Sequence, residues 1–302
     1  MLVGTLATPK ILSSPFAVRA QYAQAIVDLG IDHVFIADHV SFHNGTGMDG
    51  LINAATLTAL HPDLKVCVGV YLLALRHPIT VARQLATIAE SAPGQLILGV
   101  GVGGEDRNEI RMCGVDPATR GKRTDECLQV LNGLLTGETM DFKGRFFEFE
   151  KASIKPAPAQ PIPVLIGGRA DAAIRRTAIY GDGWLGLWSS PSRYAAVLDQ
   201  INEHAHTIGR QPPAQHGLQV WVGIDDNRER AKARLAKGME NFYHVPFARF
   251  EKYNPWGTAE EVAEWLSAYR DAGCQLFNIM PLADSDQAGI EAVARIRELL
   301  MA

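Results

Sequence analysis

Apolar positions along this chain follow two alternating rhythms. Short runs rich in apolar and β-branched residues occur at LVGTL (2–6), HVFIAD (33–38), KVCVGVYL (65–72), QLILGVG (95–101), VLIGG (164–168), WLGLW (184–188), HGLQVWVGI (216–224) and QLFNIMP (275–281). Runs this short and this continuous predict buried strands. Between them lie longer segments with helical spacing at 16–30, 50–60, 78–92, 119–135, 170–181, 192–209, 227–243, 258–273 and 287–300. Local signals mark several helix ends: Ser13 or Ser14 as cap with Pro15 in the first turn, Gly30 as a stop, Pro78 at a start, and Thr258 with Glu261 as a capping box.

The beat breaks once. MDFKGRFFEFE (140–150) predicts a hairpin turning at Lys143-Gly144. KPAPAQPIP follows, with Pro156, Pro158, Pro161 and Pro163, and is extended but unfit for a central strand. It reads either as an interdomain linker or as an excursion within one domain. Eight strands, each followed by a helix, within 302 residues are what a (β/α)8 barrel needs. The expectation is therefore an α/β chain folding as one domain over 1–302, a TIM barrel with an insertion before the fifth strand. A doubly wound open sheet is the competitor.

Composition changes the picture little. The chain is 47% apolar and 21% charged with net charge −4, which argues against nucleic acid or anionic membranes as partners. No apolar stretch reaches the length of a membrane span, and the N-terminus lacks a basic segment followed by an apolar core. Cys67, Cys113, Cys127 and Cys274 form no C-x-x-C pair, so reduced structural thiols in a cytoplasmic protein are expected.

Chemistry in a barrel gathers at the C-terminal strand ends. The second strand delivers Asp38 and His39. The third delivers Gly69, Val70 and Tyr71, then Arg76. The fourth opens into Gly99, Gly101, Gly103 and Gly104, followed by Glu105, Asp106, Asn108 and Glu109. The fifth delivers Gly167, Gly168 and Arg169, and the sixth Leu187 to Ser190. Four glycines in one loop suggest a backbone that approaches something flat or phosphorylated. Gly99, Gly101 and Gly104 also fit G-x-G-x-x-G, but the dinucleotide fingerprint needs an acid at the next strand tip, and Asp125 falls in a predicted helix. Gly167-Gly168-Arg169 before a helix suits a phosphate, and equally reads as a plain turn with an exposed arginine. His39 is the acid/base candidate, or else a structural loop histidine. His39 and His43 have a metal-like spacing but no accompanying carboxylate motif, so no metal is expected.

Taken in order, FIADH (35–39), VGVYLLALRHPITVARQLATI (68–88), LILGVGVGGEDRNEIRMCGVD (96–116), RTDECLQVL (123–131) and PVLIGGRADAAIRRTAIYGDGWL (163–185) resemble the bacterial luciferase-like family of flavin- and deazaflavin-dependent barrel oxidoreductases. The hairpin and proline segment at 140–163 match that family's insertion. In its deazaflavin branch an Asp-His pair ends the second strand, so the resemblance implies Asp38 and His39 beside a coenzyme F420 ring. It further implies a non-proline cis peptide at Gly69-Val70, an acid at Glu105 or Glu109, and a cofactor phosphate end lined by Gly167, Gly168, Gly183 and Trp184. The catalytic set expected on this basis is His39, Glu105 and Glu109. The cofactor set is Asp38, Gly69, Val70, Tyr71, Gly101, Gly103, Gly167, Gly168, Arg169, Gly183 and Trp184. The implied activity is hydride transfer between F420 and a small organic substrate, with an FMN-dependent monooxygenase as the alternative. Members of the family are commonly homodimers. The segments 41–50 and 241–257 are expected to cover the mouth, the latter with aromatic side chains.

Overall fold

In a computed structural model, all residues of 1–302 are described except Asn44 and Glu105. Eight parallel strands follow one another around a closed cylinder: β1 (Leu2–Leu6), β2 (His33–Ile36), β3 (Lys65–Leu72), β4 (Leu96–Gly101), β5 (Val164–Gly167), β6 (Gly183–Gly186), β7 (Gly217–Ile224) and β8 (Leu276–Leu282). Each pairs with its neighbours in sequence, β8 pairs with β1, and Leu185 opposite Gly217 joins β6 to β7. The open-sheet alternative is thereby excluded. A two-residue strand, Trp256–Gly257, adds to the outside of the end of β7.

Strand alternation splits the interior into two apolar clusters. Val34, Val66, Leu98, Ile166, Val220 and Ile279 pack outward under the helices. Phe35, Cys67, Ile97, Leu165, Leu185, Trp221 and Met280 gather in the other cluster, inside the cylinder and at its mouth. The helices that the spacing predicts are all present, including the reciprocal capping box of Thr258 and Glu261. One cap differs. A short helix Pro9–Leu12 occupies the start of that stretch, and the hydroxyls of Ser13 and Ser14 bond to the carbonyl of Lys10. The next helix, Phe16–Asp28, therefore starts from Pro15 with no side-chain cap.

The insertion is a hairpin of Met140–Lys143 against Glu148–Ala152. Its loop closes over four residues, Gly144 to Phe147, rather than on the dipeptide alone. Glu126 holds that loop by accepting from the amides of Arg145, Phe146 and Phe147. A second hairpin, His39–Phe42 against Thr46–Met48, stands on the rim after β2, where the glycines at 45 and 47 predicted only a loop.

Candidate active site

The third strand carries the feature that shapes the mouth. Val68 pairs with Leu98, but Val100 pairs with Tyr71, so β3 holds one extra residue there. Within this bulge the Gly69–Val70 peptide is cis. The extra residue lets both Gly69 and Val70 face the barrel interior and turns Tyr71 to the outer face. Tyr71 is buried there with the Arg76 guanidinium 4.4 Å from its ring centre. The bulge thus places Tyr71 off the cavity wall.

The glycine run has a packing reason. A Cβ on Gly101 would overlap Val70 Cγ2, one on Gly99 would overlap the Val68 carbonyl, and one on Gly167 would lie 2.9 Å from Val70 Cγ1. These glycines seat Val70 at the cavity floor. Beneath, a polar ladder crosses the barrel: His33 Nε2 lies 2.7 Å from Asn278 Oδ1, and Asn278 Nδ2 lies 3.5 Å from Gln219 Oε1.

Above this floor lies a cavity of about 460 Å³. Its wall includes Asp38, His39, Gly69, Val70, Gly101, Gly103, Gly167, Gly168 and Arg169, the residues that the strand ends brought forward. Phe42, Met48, Leu187, Trp188, Gln219, Trp221, Phe242 and Tyr243 also line it. The segment after residue 240 thus contributes two of its aromatic rings to the mouth. Phe247 and Phe250 instead pack into the inner cluster, and Trp256 stands outside with Lys232 5.0 Å from its ring centre.

Asp38 is buried, and all its oxygens are engaged. Arg76 donates to it through Nη1 at 2.6 Å and Nη2 at 2.7 Å, and the amides of Gly50 and Leu72 donate at 2.9 and 2.8 Å. Burial pushes its carboxyl up, while Arg76 and the two amides pull it down. Four converging donors suit the carboxylate form. Asp38 therefore works as an anchor between the ends of β2 and β3.

His39 is differently placed. Its Nδ1 lies 3.0 Å from Glu109 Oε2, and its ring lies tilted against that of Phe42, with centroids 4.1 Å apart. The other oxygen of Glu109 accepts from the amides of Val40 at 2.6 Å and Ser41 at 3.0 Å. An acceptor already holding two N–H groups favours the His39 tautomer that donates from Nδ1, which frees Nε2. Glu109 itself is 2% exposed and absent from the cavity wall. It sits behind His39, on the helix Arg107–Met112. Glu105, the other expected acid, lies outside the described residues.

At the far side, Gly168 has φ +124° and leads into the helix Asp171–Tyr180. That helix starts at Ala170 with no side-chain cap, and the guanidinium of Arg169 stacks 5.1 Å from Trp188 with no carboxylate partner among the described residues. Trp184 Nε1 donates to the carbonyl of Gly168 at 2.7 Å. It braces the turn from the outer core instead of lining the cavity, because position 184 points outward on β6. Gly183 is also off the cavity: it stands at the foot of β6, against the Gln215 backbone.

Elsewhere, Asp125 pairs with Arg176 at 2.6 Å within the helix Arg120–Leu134, which removes the acid that a dinucleotide fingerprint would need. Burial pushes the thiols of Cys67, Cys127 and Cys274 up to about 12. All four cysteines are free. No helix among the described residues is long and apolar enough to cross a membrane.

The chain matches known proteins on three counts. Over 201 residues it is 34% identical to an uncharacterized protein of Mycobacterium tuberculosis (strain ATCC 25618 / H37Rv), spanning 66% of this chain and 69% of that one. Over 221 residues it is 31% identical to an F420-dependent glucose-6-phosphate dehydrogenase of Nakamurella multipartita, spanning 70% and 65% of the two chains. Its fold superposes on an F420-dependent secondary alcohol dehydrogenase solved with an F420-acetone adduct, with TM-score 0.85, 19% identity and 99% of each chain covered. Residues 3–255 match the model of the luciferase-like monooxygenases, and the chain belongs to that family.

Proposed function

We propose that this chain is a coenzyme F420-dependent oxidoreductase that transfers a hydride between the cofactor and a small organic substrate. The observation that carries the reading is His39, backed by Glu109, on the wall of a cavity floored by Val70 among glycines. The F420-dependent relative supports the same cofactor.

The residues present suit F420. Gly101 and Gly167 leave Val70 a smooth face for a planar ring. The uncapped helix start after Gly168 and Arg169, which has no carboxylate partner among the described residues, offer donors and positive charge for an anionic tail. When bound, F420 supplies a two-electron ring that accepts or returns hydride without activating oxygen.

His39 Nε2 then takes the hydroxyl proton of an alcohol, or returns it to a carbonyl. Glu109 fixes the ring's tautomer and orientation, and the amides of Val40 and Ser41 hold Glu109 in place. Asp38, tied to Arg76, locks β2 to β3 so that His39 and Val70 keep their separation. The apolar rings above the cavity exclude water from the reacting atoms. We place the enzyme in the cytoplasm, as a homodimer.

The test is anaerobic incubation of the protein with reduced F420 and an uncharged ketone, following the return of oxidised F420. A rate above the protein-free control is expected. A rate equal to that control, across a panel of carbonyl substrates, refutes the reading.

A further inference from the structure

Resting on that reading, we propose that the substrate is an uncharged, largely apolar alcohol or its carbonyl product, and not a sugar phosphate. The substrate part of the cavity is an aromatic cage. Phe42 lies 5.9 Å from Phe242, Phe242 lies 5.7 Å from Trp221 and 4.8 Å from Tyr243, and Tyr243 lies 5.0 Å from Trp188. The Trp221 indole N–H donates to the Tyr243 hydroxyl at 3.2 Å, so that polar edge is used within the cage.

Charge is scarce there. Among the described residues of the wall, the acidic, basic and histidine side chains are Asp38, His39 and Arg169. Asp38 is neutralised by Arg76, and His39 is held by Glu109. That leaves one guanidinium, standing beside Gly168 where the cofactor's own anionic tail is placed. A phosphorylated substrate would bring a second anion into an apolar enclosure with no second cation, and an uncompensated buried charge is strongly disfavoured. Among the described residues of the wall, a sugar's several hydroxyl groups would meet Gln219, His39, the Tyr243 hydroxyl and the buried Trp188 indole N–H, set in a largely apolar lining. One hydroxyl or carbonyl on an apolar body fits that lining. Such an alcohol gives its carbinol hydride to the cofactor and its hydroxyl proton to His39, and leaves as the ketone or aldehyde.

Saturation-transfer NMR on the cofactor-free chain, mixed separately with acetophenone and with glucose 6-phosphate, tests this without relying on turnover. We expect transfer to the acetophenone ring protons, weakened at least fivefold in Phe242→Ala, and none to glucose 6-phosphate. Transfer to glucose 6-phosphate, or none to acetophenone, overturns the proposal. With F420 added, 1-phenylethanol should be oxidised with kcat/KM at least 100-fold above glucose 6-phosphate, and the reverse order overturns it as well. Ketone binding by a chain that does not bind F420 would sink the cofactor reading alone and leave the substrate class standing.

Discussion

Asp38 and Arg76 face each other as a two-pronged ion pair at the cavity wall, with both nitrogen–oxygen distances under 2.8 Å and Asp38 fully buried. Removing one partner of such a pair strands the other without compensation. Arg76→Met should lower unfolding free energy by about 3 kcal/mol, measured by urea denaturation at neutral pH. A variant as stable as the parent would show that the pair contributes no net anchoring.

His39 and Glu109 divide the acid–base work unequally. His39→Ala should lower kcat by about 10²–10⁴ with cofactor affinity largely kept. Glu109→Gln should cost about tenfold to a hundredfold in kcat through misorientation of His39, with KM unchanged. It should also alter the pH dependence of kcat, a readout that a merely structural role would leave untouched. Unchanged turnover in His39→Ala removes that residue from the mechanism.

Val70 and Gly101 occupy one volume between them. Gly101→Ala forces the stiff Val70 side chain to move and should destabilise the chain by about 1–3 kcal/mol. Adding Val70→Ala should return part of that loss, so the two substitutions are non-additive by about 1 kcal/mol in a double-mutant cycle of denaturation midpoints. Strict additivity would mean that the glycine serves something other than Val70.

Two buried histidines set an acid limit. Burial pushes His33 and His216 down to about 4 from 6.5. Between those values the unfolded chain binds protons that the folded chain refuses. Stability is therefore full above about pH 6.5 and is lost as pH falls toward 4, by on the order of 3 kcal/mol per histidine. Urea midpoints across that range measure the loss. Histidine ring NMR signals should include two that stay neutral at pH 5, and finding none would contradict the assignment.

The barrel was legible because each strand is a short apolar run and each helix keeps its spacing, from LVGTL at the start to QLFNIMP at the end. The rim was legible in outline, since the strand ends at 38–39, 69–70, 101–103 and 167–169 do meet around one cavity. The direction of individual side chains was not. Tyr71 turns outward because one extra residue in β3 resets the alternation, a shift that apolar patterning does not carry. Gly183 and Trp184 lie off the cavity wall, a placement the pattern does not carry because the strand end and the strand foot look alike in a four-residue run. The glycines at 99 and 101 read as a ligand approach, while their Cβ positions are filled by Val70 and Val68, neighbours on another strand. Gln219 and Trp221 went unnamed, although a lone glutamine within HGLQVWVGI was the signal available.

The most direct measurement is an equilibrium titration of the cofactor-free protein with oxidised F420 and, separately, with FMN, followed by cofactor fluorescence. Saturable one-site binding of F420, tighter than FMN by about tenfold or more, is the predicted result. Saturable binding of FMN with none of F420 would contradict the account.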